Sequence, residues 1–252
     1  MSAPCHPGAL QRDGCRWQCA YALYLRVDKH LAEGERKQIV RRWFVMSMLT
    51  GRHSGSFEST WEQDIKRIGA QGAAAYLKQL EESDLADAFW NVTLPANLET
   101  TSTASPFFQT FLAAQVKAGK RGFLTKSITV AAMHQHSGDI HHIVPKDYLR
   151  KNGYPDRSDY NQVANYALTE TAINISIENR SPADYMAVIH DQIESGQPRL
   201  GEIGDLEDLD RNLAENAMPA GLADVTAGSY PEFLIRRRRL MAESIRRYYQ
   251  QL

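Results

Sequence analysis

Four of the chain's eight histidines fall within nine residues: His134, His136, His141 and His142. The last two are adjacent in the run DIHHIVP. Two asparagines follow, Asn165 and Asn174, nine residues apart, with Asn174 thirty-two residues after His142. A free imidazole can take a proton from water near neutral pH. A second imidazole and an amide carbonyl make a sparse, weak set of metal ligands. Such a set suits a hard divalent ion that keeps waters and takes its other ligands from a substrate phosphate.

That chemistry requires particular elements around it. DIHHIVP reads as a short β-type run ending at Pro145, and VANYAL, after Tyr160 and Asn161, as a second short strand. Thr169 is a candidate cap for a helix that contains Asn174. A strand, a loop, a second strand and a helix need about thirty residues. An antiparallel hairpin with that helix packed on it would return Asn174 to the histidine pair. Neighbours on a regular strand face opposite sides. His141 and His142 therefore read either as one core and one surface residue, or as one site if the strand twists, bulges or meets its substrate across its end. Pro145 fits an irregular strand end. His134 and His136 read as surface or helix-end residues.

The rest of the chain has helical periodicity. Helices are expected over about 17–49, 61–80, 83–90, 106–116, 124–134, 182–193 and 230–250, with a break at 51–59 and a loop at 93–106. Ser181-Pro182 is a helix start, and Thr125 or Ser127 caps the 124–134 segment. The expected architecture is mainly α with one small ββα unit, an α+β chain. Its expected divisions are a flexible leader (1–14), a helical domain (15–137), the ββα unit (138–182) and C-terminal helices packed on the rest (183–252).

DIHHIVPKDYL, NQVANYAL and Asn174 ahead of NRSP together resemble the HNH, or ββα-metal, nuclease motif. They also resemble the HNH domain of RNA-guided CRISPR effectors. The fuller likeness is to the C-terminal part of GmrSD-like, modification-dependent restriction proteins, in which a helical region precedes the HNH unit. It extends over about 35–250 and is sharp only at 138–185. The resemblance implies a DNA endonuclease of prokaryotic defence. His142 would be the general base. His141, where relatives often carry an acid, and Asn174 would be the metal ligands. Asn165 would be the buried asparagine that pins the inter-strand loop, and Asp139 would orient His141. Lys146 reads equally as a phosphate contact or a plain surface lysine. The implied cofactor is Mg²⁺, with Mn²⁺ as a substitute; Zn²⁺ ranks lower because a structural zinc site wants four protein ligands. The implied partners are DNA and a nucleotide-binding subunit or domain, for which the chain carries no G-x-x-x-x-G-K-[ST] loop. The competing expectation is a non-catalytic DNA-binding or assembly module, the remnant of a larger two-domain restriction protein.

Composition bounds these readings. The 252 residues are 43% hydrophobic and 23% charged, which excludes wholesale disorder. A net charge of −1 means that any nucleic-acid binding must come from a local patch. Residues 191–224 carry nine acids against two arginines, whereas 232–252 carry six arginines against two acids. The arginine run Arg236–Arg239, with Arg246 and Arg247, reads as lying off a helix face made by Leu234, Met241, Ile245 and Tyr248. There it would track a DNA backbone or pair with the acidic stretch. Cys5, Cys15 and Cys19 suggest no disulfide framework and fit a reducing cytoplasm. With His6 they match no zinc-finger spacing. Neither a signal peptide nor a membrane span is expected.

Overall fold

The computed structural model describes Leu23, residues 30–136 and residues 138–252. The expected leader and the three cysteines lie outside these residues. The chain forms two compact units, residues 1–89 with 249–252, and residues 90–248.

The first unit contains α1 (Glu33–Thr50), α2 (Phe57–Gln71) and α3 (Ala73–Asp84). Trp43, Met46, Leu49, Ile68, Tyr76 and Leu77 are buried in its core. Gly51 ends α1 at φ 63°, a left-handed cap that glycine adopts without a Cβ penalty. A single helix was expected over 61–80, but Gly72 at φ 85° divides it into α2 and α3.

The second unit is helical around a two-stranded sheet. A π-helical turn (Phe89–Thr93) runs into α4 (Leu94–Asn97), so the first part of the expected 93–106 loop is helical. Leu94 and Leu98 are fully buried there, and that packing outweighs the polar composition. Next come α5 (Pro106–Lys117), α6 (Val130–His136), β1 (Gly138–His142), α7 (Lys146–Lys151) and α8 (Arg157–Tyr160). After a 3₁₀ turn (Val163–Asn165) come β2 (Tyr166–Glu170), α9 (Thr171–Ile177), α10 (Pro182–Ser195) and α11 (Leu206–Glu215). A second 3₁₀ turn (Leu222–Asp224) leads to α12 (Tyr230–Gln250). Helix α10 starts where the sequence indicates, with Pro182 in its first turn and a capping box between Ser181 and Asp184.

The divisions expected at 137/138 and 182/183 do not match these units. Helix α6 packs on both strands, α5 packs on α6, and the helices after 182 belong to the same unit. A two-stranded hairpin cannot bury its own faces, so the flanking helices are its core.

Two local expectations change. Residues 124–129 are an irregular turn and α6 begins at Val130. Asn212 of α11 holds that turn open, with its side-chain amide bonded to Leu124 N, Gly122 O and Thr125 O. Thr169 is a buried strand residue whose hydroxyl donates to Phe123 O at 2.7 Å, so Glu170, not Thr169, precedes the Asn174 helix.

The basic run on α12 is not one exposed stripe. Leu234, Met241 and Ile245 are buried as expected, but so are Arg237, at 1% exposure, and Arg238. Arg237 donates to Ala164 O, Tyr166 O and Asn216 O at 2.7–3.2 Å. Burial lowers its pKa to about 9, which leaves it cationic at neutral pH. Arg238 bonds Glu99 and Gln162. Asp208 and Glu215 of the acidic stretch pair instead with Arg121. Among the described residues no helix is long and apolar enough to cross a membrane.

Candidate functional site

Strands β1 and β2 pair antiparallel, with His141 opposite Ala167 and His142 opposite Tyr166. Residues alternate across β1. Ile140 is exposed and His141 is 3% exposed, while Asp139 and His142 are half-buried. Helix α9 packs on both strands. It docks through Ile173 and Ile177, one turn apart, and this leaves Asn174 turned toward β1.

His141, Asn174 and Asp139 form one hydrogen-bonded chain. His141 Nδ1 lies 2.8 Å from Asn174 Oδ1, and Asn174 Nδ2 donates to Asp139 Oδ2 at 3.3 Å. The second bond orients the amide with its oxygen toward the imidazole, so Nδ1 is the protonated nitrogen of the neutral ring. His141 Nε2 is buried without a hydrogen-bond partner. The ring stacks nearly parallel on Phe123, with centroids 5.9 Å apart. Burial pushes the His141 pKa down to about 4; the neighbouring His142 adds to the shift and the Asn174 bond opposes it. Asp139 was expected to orient His141, but its carboxylate reaches Asn174 instead. No lysine or arginine among the described residues pairs with it.

His142 is the last residue of β1 and meets other neighbours. Its Nε2 lies 2.9 Å from Asn161 Oδ1, and its ring stands edge-on to Tyr166 with centroids 5.0 Å apart. Burial lowers its pKa, as does the charge of Lys146, against the Asn161 bond. Nδ1 has no hydrogen-bond partner among the described residues. Lys146 itself is exposed at the start of α7.

Asn165 is fully buried and is used up on backbone. Its carbonyl accepts from Val144 N at 2.9 Å, and its amide donates to Val144 O and Tyr160 O at 3.0 and 3.1 Å. It holds the chain that leaves β1 against the chain that enters β2, and it touches none of the other candidate side chains. His134 is exposed on α6, and the His136 side chain lies outside the described residues.

Sequence reasoning missed two partners. Phe123, the platform under His141, directly follows Gly122 in the turn ahead of α6, where the apolar Phe-Leu pair was the available signal. Asn161, the partner of His142, stands four residues before Asn165 with nothing local to mark its role.

The residues present fit a small divalent ion. Adjacent ligands on an octahedral ion with bonds of about 2.1 Å lie about 3 Å apart. The separation of His141 Nδ1 and Asn174 Oδ1 is 2.8 Å and is a hydrogen bond, so Nδ1 would become a ligand only once its hydrogen moves to the partnerless Nε2. The uncompensated Asp139 carboxylate beside Asn174 favours a cation there. Among the described residues no three His, Cys, Asp or Glu side chains cluster as a ligand set. The donor set is thus weak and incomplete, unlike a closed zinc shell. Comparison with protein-family models, curated proteins and solved structures returned no significant match.

Proposed function

We propose that the β1–β2–α9 unit is the hydrolytic site of a divalent-metal endonuclease of the HNH type that acts on DNA in restriction of foreign DNA. The observation that carries this reading is the 2.8 Å approach of His141 Nδ1 to Asn174 Oδ1 beside an unpaired carboxylate. These groups come from two separate elements beside a negative charge, and Nδ1 would offer its lone pair to a cation once the ring hydrogen moves to Nε2. Binding of DNA, and its setting in prokaryotic defence, rest on the motif likeness.

His141 and Asn174 would hold the ion, and Asp139 would fix the amide of Asn174 through its Nδ2. The bound ion would supply charge stabilisation at the scissile phosphate and the leaving 3′ oxygen. His142 takes the proton from the attacking water. Its depressed pKa keeps it neutral at physiological pH, so a lone pair is ready for that proton. Its position at the end of β1, ahead of Pro145, leaves the pair accessible to a strand lying across the end of the hairpin. Lys146 contacts a phosphate flanking the cut. Asn165 keeps the two strands in register and takes no part in the chemistry.

Plasmid nicking with Mg²⁺, Mn²⁺ or EDTA, on wild type and His142→Ala, tests the reading. The expected result is metal-dependent nicking that falls by about 10²-fold or more in the variant. Folded wild-type protein that cuts nothing with either metal would return the chain to a binding or assembly module.

A further inference from the structure

We propose that Asn161 is the positioning residue for His142, its side-chain carbonyl accepting the Nε2–H so that Nδ1 is the basic atom turned to the substrate. The inference rests on the reading of His142 as general base.

Asn161 Oδ1 lies 2.9 Å from Nε2, an ordinary hydrogen-bond length. With Oδ1 toward the ring the amide can only accept, and the neutral ring then carries its proton on Nε2 and its lone pair on Nδ1. Nδ1 is also the nitrogen with no partner among the described residues. The ring cannot swing freely, because Tyr166 stands edge-on at 5.0 Å and Tyr160 lies tilted at 6.2 Å.

The segment that carries Asn161 is itself held on both sides. Its backbone N–H caps α8 by donating to Arg157 O at 2.9 Å. Tyr160 O accepts from Asn165 Nδ2, Val163 N donates to Thr100 O, and Asp159 O accepts from the Tyr230 hydroxyl. The Asn161 side chain makes no other hydrogen bond among the described residues. It is therefore an acceptor held at a fixed place whose one contact is the base. This is the arrangement by which a third group sets the tautomer and aim of a catalytic histidine. Asn161 differs in this from Asn165, four residues on, whose bonds all go to backbone.

Two readouts test the proposal on the full chain. The first is long-range ¹⁵N NMR of the metal-free protein at a pH where His142 is neutral, its signals assigned by their loss in His142→Gln. Wild type is expected to show the Nε2–H form. Asn161→Ala is expected to give a mixture of tautomers, and Asn161→Asp, which keeps an acceptor, to retain Nε2–H. An Nδ1–H form in wild type, or an unchanged tautomer in Asn161→Ala, overturns the proposal, and the wild-type spectrum decides even if the alanine variant fails to fold. The second readout is plasmid nicking. Asn161→Ala is expected to lower kcat by about tenfold or more with KM little changed, and Asn161→Asp to recover part of that loss. A purely structural asparagine would not give this split. If wild type cuts nothing, the nuclease reading fails, while the spectra still report whether Asn161 sets the His142 tautomer.

Discussion

Each unit of the molecule holds a polar cluster around a buried side chain, and these two clusters are built on opposite principles. In the first unit the fully buried Asp64 accepts from Arg52 Nε and Nη2 at 3.1 and 2.6 Å and from the Tyr76 hydroxyl at 2.7 Å, with His53 Nε2 at 3.3 Å. Burial alone would raise the carboxyl's pKa, but His53, Arg52 and Tyr76 together hold it well below the usual carboxylate range. Both carboxylate oxygens accept hydrogen bonds and the charge is matched by Arg52, which is how a buried ion cluster holds a fold together. In the second unit His141, Asn174 and Asp139 form a chain of two hydrogen bonds that ends on a carboxylate, and no cation among the described residues answers that carboxylate. A closed cluster stabilises, whereas the second leaves one carboxylate without a cation and the buried His141 Nε2 without a hydrogen-bond partner.

The largest expected effect falls on the closed cluster. Asp64→Ala leaves the half-buried Arg52 with only the Asp84 carboxylate, 3.6 Å away. It is expected to cost about 3 kcal/mol or more of unfolding free energy in a urea titration. A loss below about 1 kcal/mol would place Asp64 with ordinary surface ion pairs and end the contrast.

Next in size is a separation of the two clusters by pH. The folded pKa of His141, about 4, is below its unfolded value of about 6.5. Between these values the unfolded chain binds more protons, so stability is full above about pH 6.5 and falls toward pH 4. For so buried a ring the loss is on the order of 3 kcal/mol. The Asp64 carboxyl is also depressed, so its contribution is present above about pH 3.9 and lost as pH falls below it. Urea melts of the metal-free protein are expected to show both windows. His141→Gln should flatten the upper one and Asp64→Asn the lower. An upper window that survives in His141→Gln would assign it to another group.

The smallest effect is expected at Lys146. An exposed phosphate contact removed in Lys146→Ala should raise KM only a few-fold and lower the salt slope of DNA binding by about one. An unchanged slope would leave Lys146 a surface lysine.

The sequence disclosed those parts of the fold that are set locally. Ser181-Pro182, Gly51 and the alternation around DIHHIVP mark their elements because caps, left-handed turns and strand pleat act over a few residues. The approach of Asn174 to His141 was also legible, through the length of chain that a strand, loop, strand and helix require. What could not be read depends on distant packing. Arg237 looked like part of a solvent-facing run, yet its guanidinium finds carbonyls at Ala164, Tyr166 and Asn216, supplied by chain 21 to 73 residues away. Phe123 stacks on His141 from a turn whose backbone is bonded to Asn212 of α11, a residue about 90 positions on. Asn161 and Asn165 look alike in sequence, and only the fold gives one to an imidazole and the other to the backbone.

Manganese titration of the folded protein, read by paramagnetic broadening of side-chain signals, bears most directly on the open cluster. Saturable broadening centred on the His141 ring and the Asn174 side-chain amide, abolished in a folded Asn174→Ala protein, is the expected result. Broadening with no such centre, or broadening that persists undiminished in that variant, would contradict the assignment of a metal site to this hairpin and helix.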